Sequence, residues 1–274
     1  MDELRTAIKE VLTEHQPMTA RQVYYAMSVR GLIGKTEGEY KNTAVRLLVQ
    51  MREKGEIPFE WIADHTRATY GPTSYGSPAE CIRAATKDYR HRVWDDAQIQ
   101  VFVFVEKDAL ATVLGEVTSR YDVPLCVARG YSSISYLHEI AKVIAANAGK
   151  PAYIFHFGDH DPSGQDAARD TEEKLRRYAK GATIHFERVA VTLEQIEEWN
   201  LPSRPTKTKD TRAKKFGRDT SVELDAIPVD KLRALVRSRI KRCIRKKRFK
   251  ALRIREKKEK RRLERIATDL RRVP

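Results

Sequence analysis

The chain has 274 residues, with 53 Lys+Arg against 38 Asp+Glu and a formal net charge of +15. Its 41% hydrophobic and 33% charged residues are those of a globular protein rather than a disordered one. No apolar run approaches the ~20 residues that a membrane-spanning helix needs, so no membrane partner is expected. The charge is uneven: residues 237–272 hold 19 Lys/Arg and 4 Asp/Glu, a surplus equal to the whole net charge. The rest of the chain is therefore neutral, and a C-terminal arm that meets a polyanion is expected. The first residues are charged throughout, which argues against a secretory signal. Cys81, Cys126 and Cys243 lie far apart with no CxxC pair, which argues against a zinc ribbon or disulfide framework and fits a reducing cytoplasm.

In chain order, apolar Leu4, Ile8, Val11 and Leu12 predict an amphipathic helix over 2–15, stopped at Pro17. Thr19 predicts the N-cap of a second helix that runs to about Arg30 and ends at Gly31. A third helix is expected over 37–54, and the alternation of Ile57, Phe59, Trp61 and Ala63 predicts a short strand. Three short helices and a strand read as a winged helix-turn-helix domain over 1–77, with any small helical domain as the alternative. A linker helix is predicted within 78–98.

Residues 99–201 then alternate strand and helix: strands at 98–106, 124–128, 152–157 and 183–191, helices at 108–120, 132–147 and 163–180. Apolar, β-branched strands separated by helices imply a parallel sheet covered on both faces, an α/β domain of Rossmann type. Residues 202–222 are basic, polar and aperiodic and read as a flexible loop. Over 223–274, Pro228 is placed to start a final helix whose apolar positions thin out beyond Lys246 into the basic tail.

Reactive sites of open parallel sheets lie beyond the carboxyl ends of the strands. Glu106 ends the first strand, and Asp159 and Asp161 end the third, 53 and 55 residues later. Alternation points the two aspartates one way and His160 the other. Three carboxylates converging at one rim suit Mg²⁺, a hard cation that keeps waters and recruits phosphate oxygens. Capping of helix N-termini is the alternative role for these acids.

The segments Glu106-Lys107-Asp108-Ala109, Gly130-Tyr131-Ser132-Ser133 and Gly158-Asp159-His160-Asp161-Pro162-Ser163-Gly164 resemble the signature of a Toprim domain. More narrowly, they are similar to the Toprim of the topoisomerase VI A subunit and its relative, the meiotic double-strand-break protein. In that family a winged-helix domain carrying the catalytic tyrosine precedes Toprim, and the same order is expected here. Arg21-Gln22-Val23-Tyr24-Tyr25 resembles the family's Arg-x-(Ile/Val)-(Tyr/Phe)-Tyr motif. The resemblance implies that Tyr25 is the nucleophile, joining a 5′ phosphate, and that Glu106, Asp159 and Asp161 bind Mg²⁺. Arg21 lies one turn before Tyr25, where a guanidinium can hold the scissile phosphate; Tyr24 is assigned to packing, which is the alternative fate of Tyr25 as well.

The resemblance spans roughly residues 17–240. It implies a DNA topoisomerase of type IIB A-subunit kind in a minimal, stand-alone form, active on double-stranded DNA as a homodimer. Tyr25 of one protomer would face the acids of the other, and the protein would be cytoplasmic and nucleoid-associated. The family's N-terminal extension is nearly absent and no Gly-rich ATP loop occurs, so strand passage would need a separate ATPase subunit. Further DNA contacts are expected from Arg46, Arg52, Arg67, Lys107, Lys246, Lys247 and Arg248, each with an ordinary solvated or ion-paired role as the alternative. Two other functions fit the same residues: a Toprim nuclease that uses water, and a non-catalytic winged-helix DNA-binding protein.

Overall fold

The computed structural model describes residues 1–63, 72–206 and 216–270. The N-terminal part is helical: α1 (Asp2–His15), α2 (Ala20–Val29), α3 (Glu37–Glu39), which continues through a π-helical stretch Tyr40–Val45 into α4 (Arg46–Glu53). Thr19 caps α2 through a reciprocal capping box with Gln22. Two glycines in the left-handed region end helices here. Gly31 (φ 74°) and Gly55 (φ 70°) follow α2 and α4, and Leu32 and Glu56 donate back to the Met27 and Met51 carbonyls. The strand expected at 57–63 does not form. Phe59–Trp61 is a 3₁₀ turn with Phe59 exposed, and strand character is confined to a parallel bridge between Met18 and Ile62. Of the alternating residues, Ile57 and Ala63 are buried with Ile62 in the core that holds α1, α2 and α4, whereas Phe59 is exposed and Trp61 half-buried.

The linker helix, α5 (Pro78–Asp88), is shorter than expected, ending at Asp88. Beyond it the chain is a mixed α/β structure. Strands β1 (Gln100–Val105), β2 (Leu125–Val127), β3 (Ala152–Phe157) and β4 (Ile184–Ala190) form one parallel sheet in the order β2-β1-β3-β4. The helices between them are α6 (Ala111–Arg120), α7 (Ile134–Ala145) and α8 (Pro162–Tyr178), with α9 (Leu193–Glu198) after β4. The apolar run in β1 is explained by burial on both faces. Val101, Val103 and Val105 join the core shared with α6 and the N-terminal helices, whereas Phe102 and Phe104 join Leu137, Ala141 and Leu175 of α7 and α8 on the other face.

The region expected to be a flexible loop over 202–222 contains structure at both described ends. Residues β5 (Arg204–Pro205) and β6 (Thr220–Ser221) pair antiparallel, and Val222 bridges to His160. The next turn, Leu224–Ala226, is buried beneath α2. The single final helix is two. Pro228 caps α10 (Val229–Cys243), whose Leu232, Val236 and Ile240 complete the core on the Val101 face. After a break at Ile244 and Arg245, α11 (Lys246–Asp269) carries the basic residues. The tail does not trail away from the body; it lies along α5, burying Glu256 and Ala267.

Candidate functional site

Glu106 stands one residue beyond β1. Its backbone N–H donates to the Phe157 carbonyl at 2.9 Å, and its Oε2 accepts from the Asp159 N–H at 2.9 Å, so the ends of β1 and β3 are tied together. Two glycines keep the space for this carboxylate. A Cβ on Gly158 would lie 2.7 Å from Glu106 Oε2, and one on Gly164 would lie 3.0 Å from it and 2.5 Å from the Asp159 carbonyl oxygen. Asp159 Oδ1 accepts from the Leu224 N–H at 2.8 Å and lies 3.3 Å from Lys107 Nζ. Asp161 is the N-cap of α8, its Oδ1 accepting from the Gly164 N–H at 2.7 Å, and its Oδ2 faces Arg204 at 3.7 Å. His160 turns away toward the Val191 carbonyl, in keeping with the alternation expected of this tripeptide.

Glu106 and Asp159 are both held above the ordinary carboxylate range. Burial, then the charge of Asp159 and Asp161, pushes Glu106 up to about 7. Burial pushes Asp159 up too, against the opposing pull of Lys107 and the Leu224 N–H. Crowded carboxylates that resist ionising together are donor chemistry suited to a divalent cation. Among the described residues, however, no group of three or more His, Cys, Asp or Glu is arranged to hold a metal ion. The oxygens of Asp159 and Asp161 are engaged by backbone N–H groups, Lys107 and Arg204.

A second acidic cluster adjoins the first and was not anticipated. Glu223 and Asp225 are buried at 4% and 3% exposure, on either side of Leu224. Lys107 Nζ lies 3.0 Å from Glu223 and 2.7 Å from Asp225. Burial works against the ammonium charge, but Asp225, Asp159 and Glu223 outweigh it and hold Lys107 above its ordinary value. Arg204 takes the other Glu223 oxygen, and Arg21 Nε approaches at 3.5 Å. Asp225 also accepts from the Thr19 hydroxyl at 2.7 Å, so the cluster fastens α2 to the strand ends. In the sequence the only signal was an acid–apolar alternation, Val222-Glu223-Leu224-Asp225-Ala226, which placed charged side chains on an otherwise buried segment.

Arg21 is held on two sides, stacked 3.6 Å over the Tyr40 ring and paired with Glu37 at 3.0 Å. Tyr24 packs against Tyr25 and Tyr40, its hydroxyl donating to the Gly34 and Thr36 carbonyls. Tyr25 is also buried, at 9% exposure. Burial, then Glu223, drives its proton affinity above the ordinary phenol range, and Arg21, Lys107 and Arg204 oppose them. The charges of Glu223, Arg21, Lys107 and Arg204 thus act on Tyr25, and the same cluster reaches Asp159 through Lys107 and Asp161 through Arg204.

The chain matches no protein-family model and no curated protein.

The predicted DNA contacts scatter. Lys107 is committed to the internal network, and Arg52 to the Leu48 carbonyl and the Phe59 ring. Arg248 pairs with Asp96 at 2.6 Å, while Arg46, Lys246 and Lys247 are exposed. Arg67 lies outside the described residues. No helix among the described residues is long and apolar enough to cross a membrane.

Proposed function

We propose that this chain is a winged-helix plus Toprim protein that cuts and rejoins double-stranded DNA by transesterification through Tyr25, as its resemblance to the topoisomerase VI A subunit implies. The observation that supports the proposal is the basic cluster near Tyr25: Lys107, Arg204 and Arg21 gather on Glu223, and their charges favour the tyrosinate, although burial and Glu223 outweigh them in the chain without DNA. In the reaction, the Tyr25 oxygen attacks a backbone phosphorus and forms the phosphotyrosyl bond. The bond from phosphorus to the 3′ oxygen breaks, that oxygen leaves as a 3′ hydroxyl with the proton given up by Tyr25, and reversal reseals the strand. Arg21 and Arg204 are suited to hold the phosphate, since a planar guanidinium matches its oxygens. Lys107, tied to three carboxylates, positions the β1 end against the 223–225 turn. Glu106, Asp159 and Asp161 would hold Mg²⁺, which supplies charge neutralisation at the phosphate and the leaving oxygen. A homodimer would place a second tyrosine on the opposite strand, with Tyr25 of each copy meeting the acids of the other. ATP-driven strand passage would need a separate subunit.

The test is covalent trapping. Labelled DNA incubated with the protein and Mg²⁺, then denatured, should carry protein on its 5′ ends, and Tyr25→Phe should abolish the adduct. Cleavage that yields free 5′ phosphates without an adduct would mark a water-using nuclease instead. Binding that persists with no cleavage, and is unaffected by Asp159→Ala, would mark a DNA-binding module.

A further inference from the structure

The packing of α11 on α5 creates a feature remote from Tyr25. Contacts of several kinds hold the two elements: Glu256 accepts from the His91 N–H at 3.0 Å, the Tyr89 hydroxyl donates to Glu259 at 2.7 Å, and Lys260 Nζ donates to the Lys87 carbonyl at 2.9 Å. Between them runs a groove of about 850 Å³. One wall presents Lys257, Lys260, Arg261 and Arg265, a stripe at helical spacing, and the other presents Lys87 and Arg90. Its acids are Glu256 and Glu264, and Glu256 is buried and taken up by the His91 N–H and Arg253.

Four of the groove's cations lack the carboxylate partners that others have, Arg253 of the groove itself among the latter. On the same helix Arg253 and Arg255 pair with Glu256 and Glu259. Among the described residues, no salt bridge joins Lys87, Lys257, Arg261 or Arg265 to a carboxylate. Lys260 is held below its ordinary value by burial and by the like charges of Arg90 and Arg253. A concave surface crowded with uncompensated positive charge is complementary to a repeating anion.

We propose that the α5–α11 groove binds the sugar–phosphate backbone of double-stranded nucleic acid, independently of the chemistry at Tyr25. From Lys257 to Arg265 the helix rises about 12 Å, and one strand of a duplex carries a charge about every 3.4 Å of axis. The stripe therefore spans about three or four phosphates. Recognition by charge alone makes the groove indifferent to sequence.

The experiment uses the full chain carrying Tyr25→Phe, so that binding is read without cleavage. Affinity for a short labelled duplex is measured by fluorescence anisotropy over a salt series, for this chain and for one that also carries Lys257→Gln and Arg261→Gln. Removing two phosphate contacts should reduce the slope of log K against log salt by about 2 and weaken binding at least tenfold at low salt. A Lys257→Arg, Arg261→Lys chain should restore both, and melting curves establish that each variant is folded. An unchanged slope and affinity in the glutamine variant would overturn the proposal. So would tight binding of the parent chain to vesicles of anionic phospholipid that the duplex fails to displace, an outcome that exposed Ile254 and Ile266 on α11, and Leu270 just after it, make worth measuring. In the chain retaining Tyr25, adduct formation at saturating DNA should survive the groove substitutions, so failure of the groove and failure of the tyrosine assignment give different results.

Discussion

Replacing Glu223 by Gln tests whether the second acidic cluster is what joins α2 to the sheet. The carboxylate faces Lys107 at 3.0 Å and Arg21 at 3.5 Å, with Arg204 on its other oxygen. At an effective dielectric of about 20, unit charges at those two distances attract by about 5.5 and 4.7 kcal/mol. Most of this gross attraction is offset by the cost of burying the charges and by repulsion from Asp225 and Asp159. After the change Lys107 keeps Asp225 and Asp159, Arg21 keeps Glu37, and the amide still offers one acceptor. The net loss should therefore lie at the low end for a broken buried pair, about 3 kcal/mol, or a fall in melting temperature of about 6–12 °C for a chain of this size. Thermal and urea melts at neutral pH measure it. A double-mutant cycle with Lys107→Met should return a coupling of about 1.5–3 kcal/mol. A loss below about 1 kcal/mol, or no coupling to Lys107, would refute the reasoning that this buried carboxylate is the electrostatic hub.

Gly164→Ala should destabilise by about 2–3 kcal/mol, because its Cβ would meet the Asp159 carbonyl oxygen at 2.5 Å and backbone cannot swing aside. Gly149→Ala, with nothing within 4 Å, should change stability by less than about 0.5 kcal/mol in the same urea titration. Thr19→Ala removes both the α2 cap and the bond to Asp225 and should cost about 3 kcal/mol, whereas Thr19→Ser should retain nearly all of it. Burial, aided by Arg188, holds His156 down to about 3, so the unfolded imidazole takes up a proton below 6.5 while the folded one stays neutral. Stability should accordingly fall as pH falls through that window, by up to about 1.4 kcal/mol per unit. His156→Leu should flatten the acid side of the stability–pH curve measured by denaturant titration.

The parallel sheet could be read in advance because its strands are short apolar runs separated by amphipathic helices, a local pattern that forces burial on both faces. Glu106, Asp159 and Asp161 could be placed at one rim for the same reason, since strand ends follow from strand order. The misplaced elements were those for which local pattern and tertiary environment diverge. Ile57, Phe59, Trp61 and Ala63 alternate as in a strand, yet Ile57 and Ala63 are buried in the core of the N-terminal helices and, among the described residues, only the single bridge from Ile62 to Met18 pairs this segment. The basic residues beyond Lys246 looked like a solvated arm, but Ala267 and Glu256 at helical spacing dock the helix on α5. Glu223, Asp225 and Arg204 could not be assigned from the chain, because their partners Lys107, Thr19 and Arg21 lie far away in it. The sequence by itself therefore determined the strand–helix alternation, the acidic strand ends and the location of the surplus charge, all properties of nearest neighbours and periodicity. Only the tertiary structure decided which charges neutralise one another and which remain for a ligand, because in a buried site a few ångströms settle whether a charge is paired.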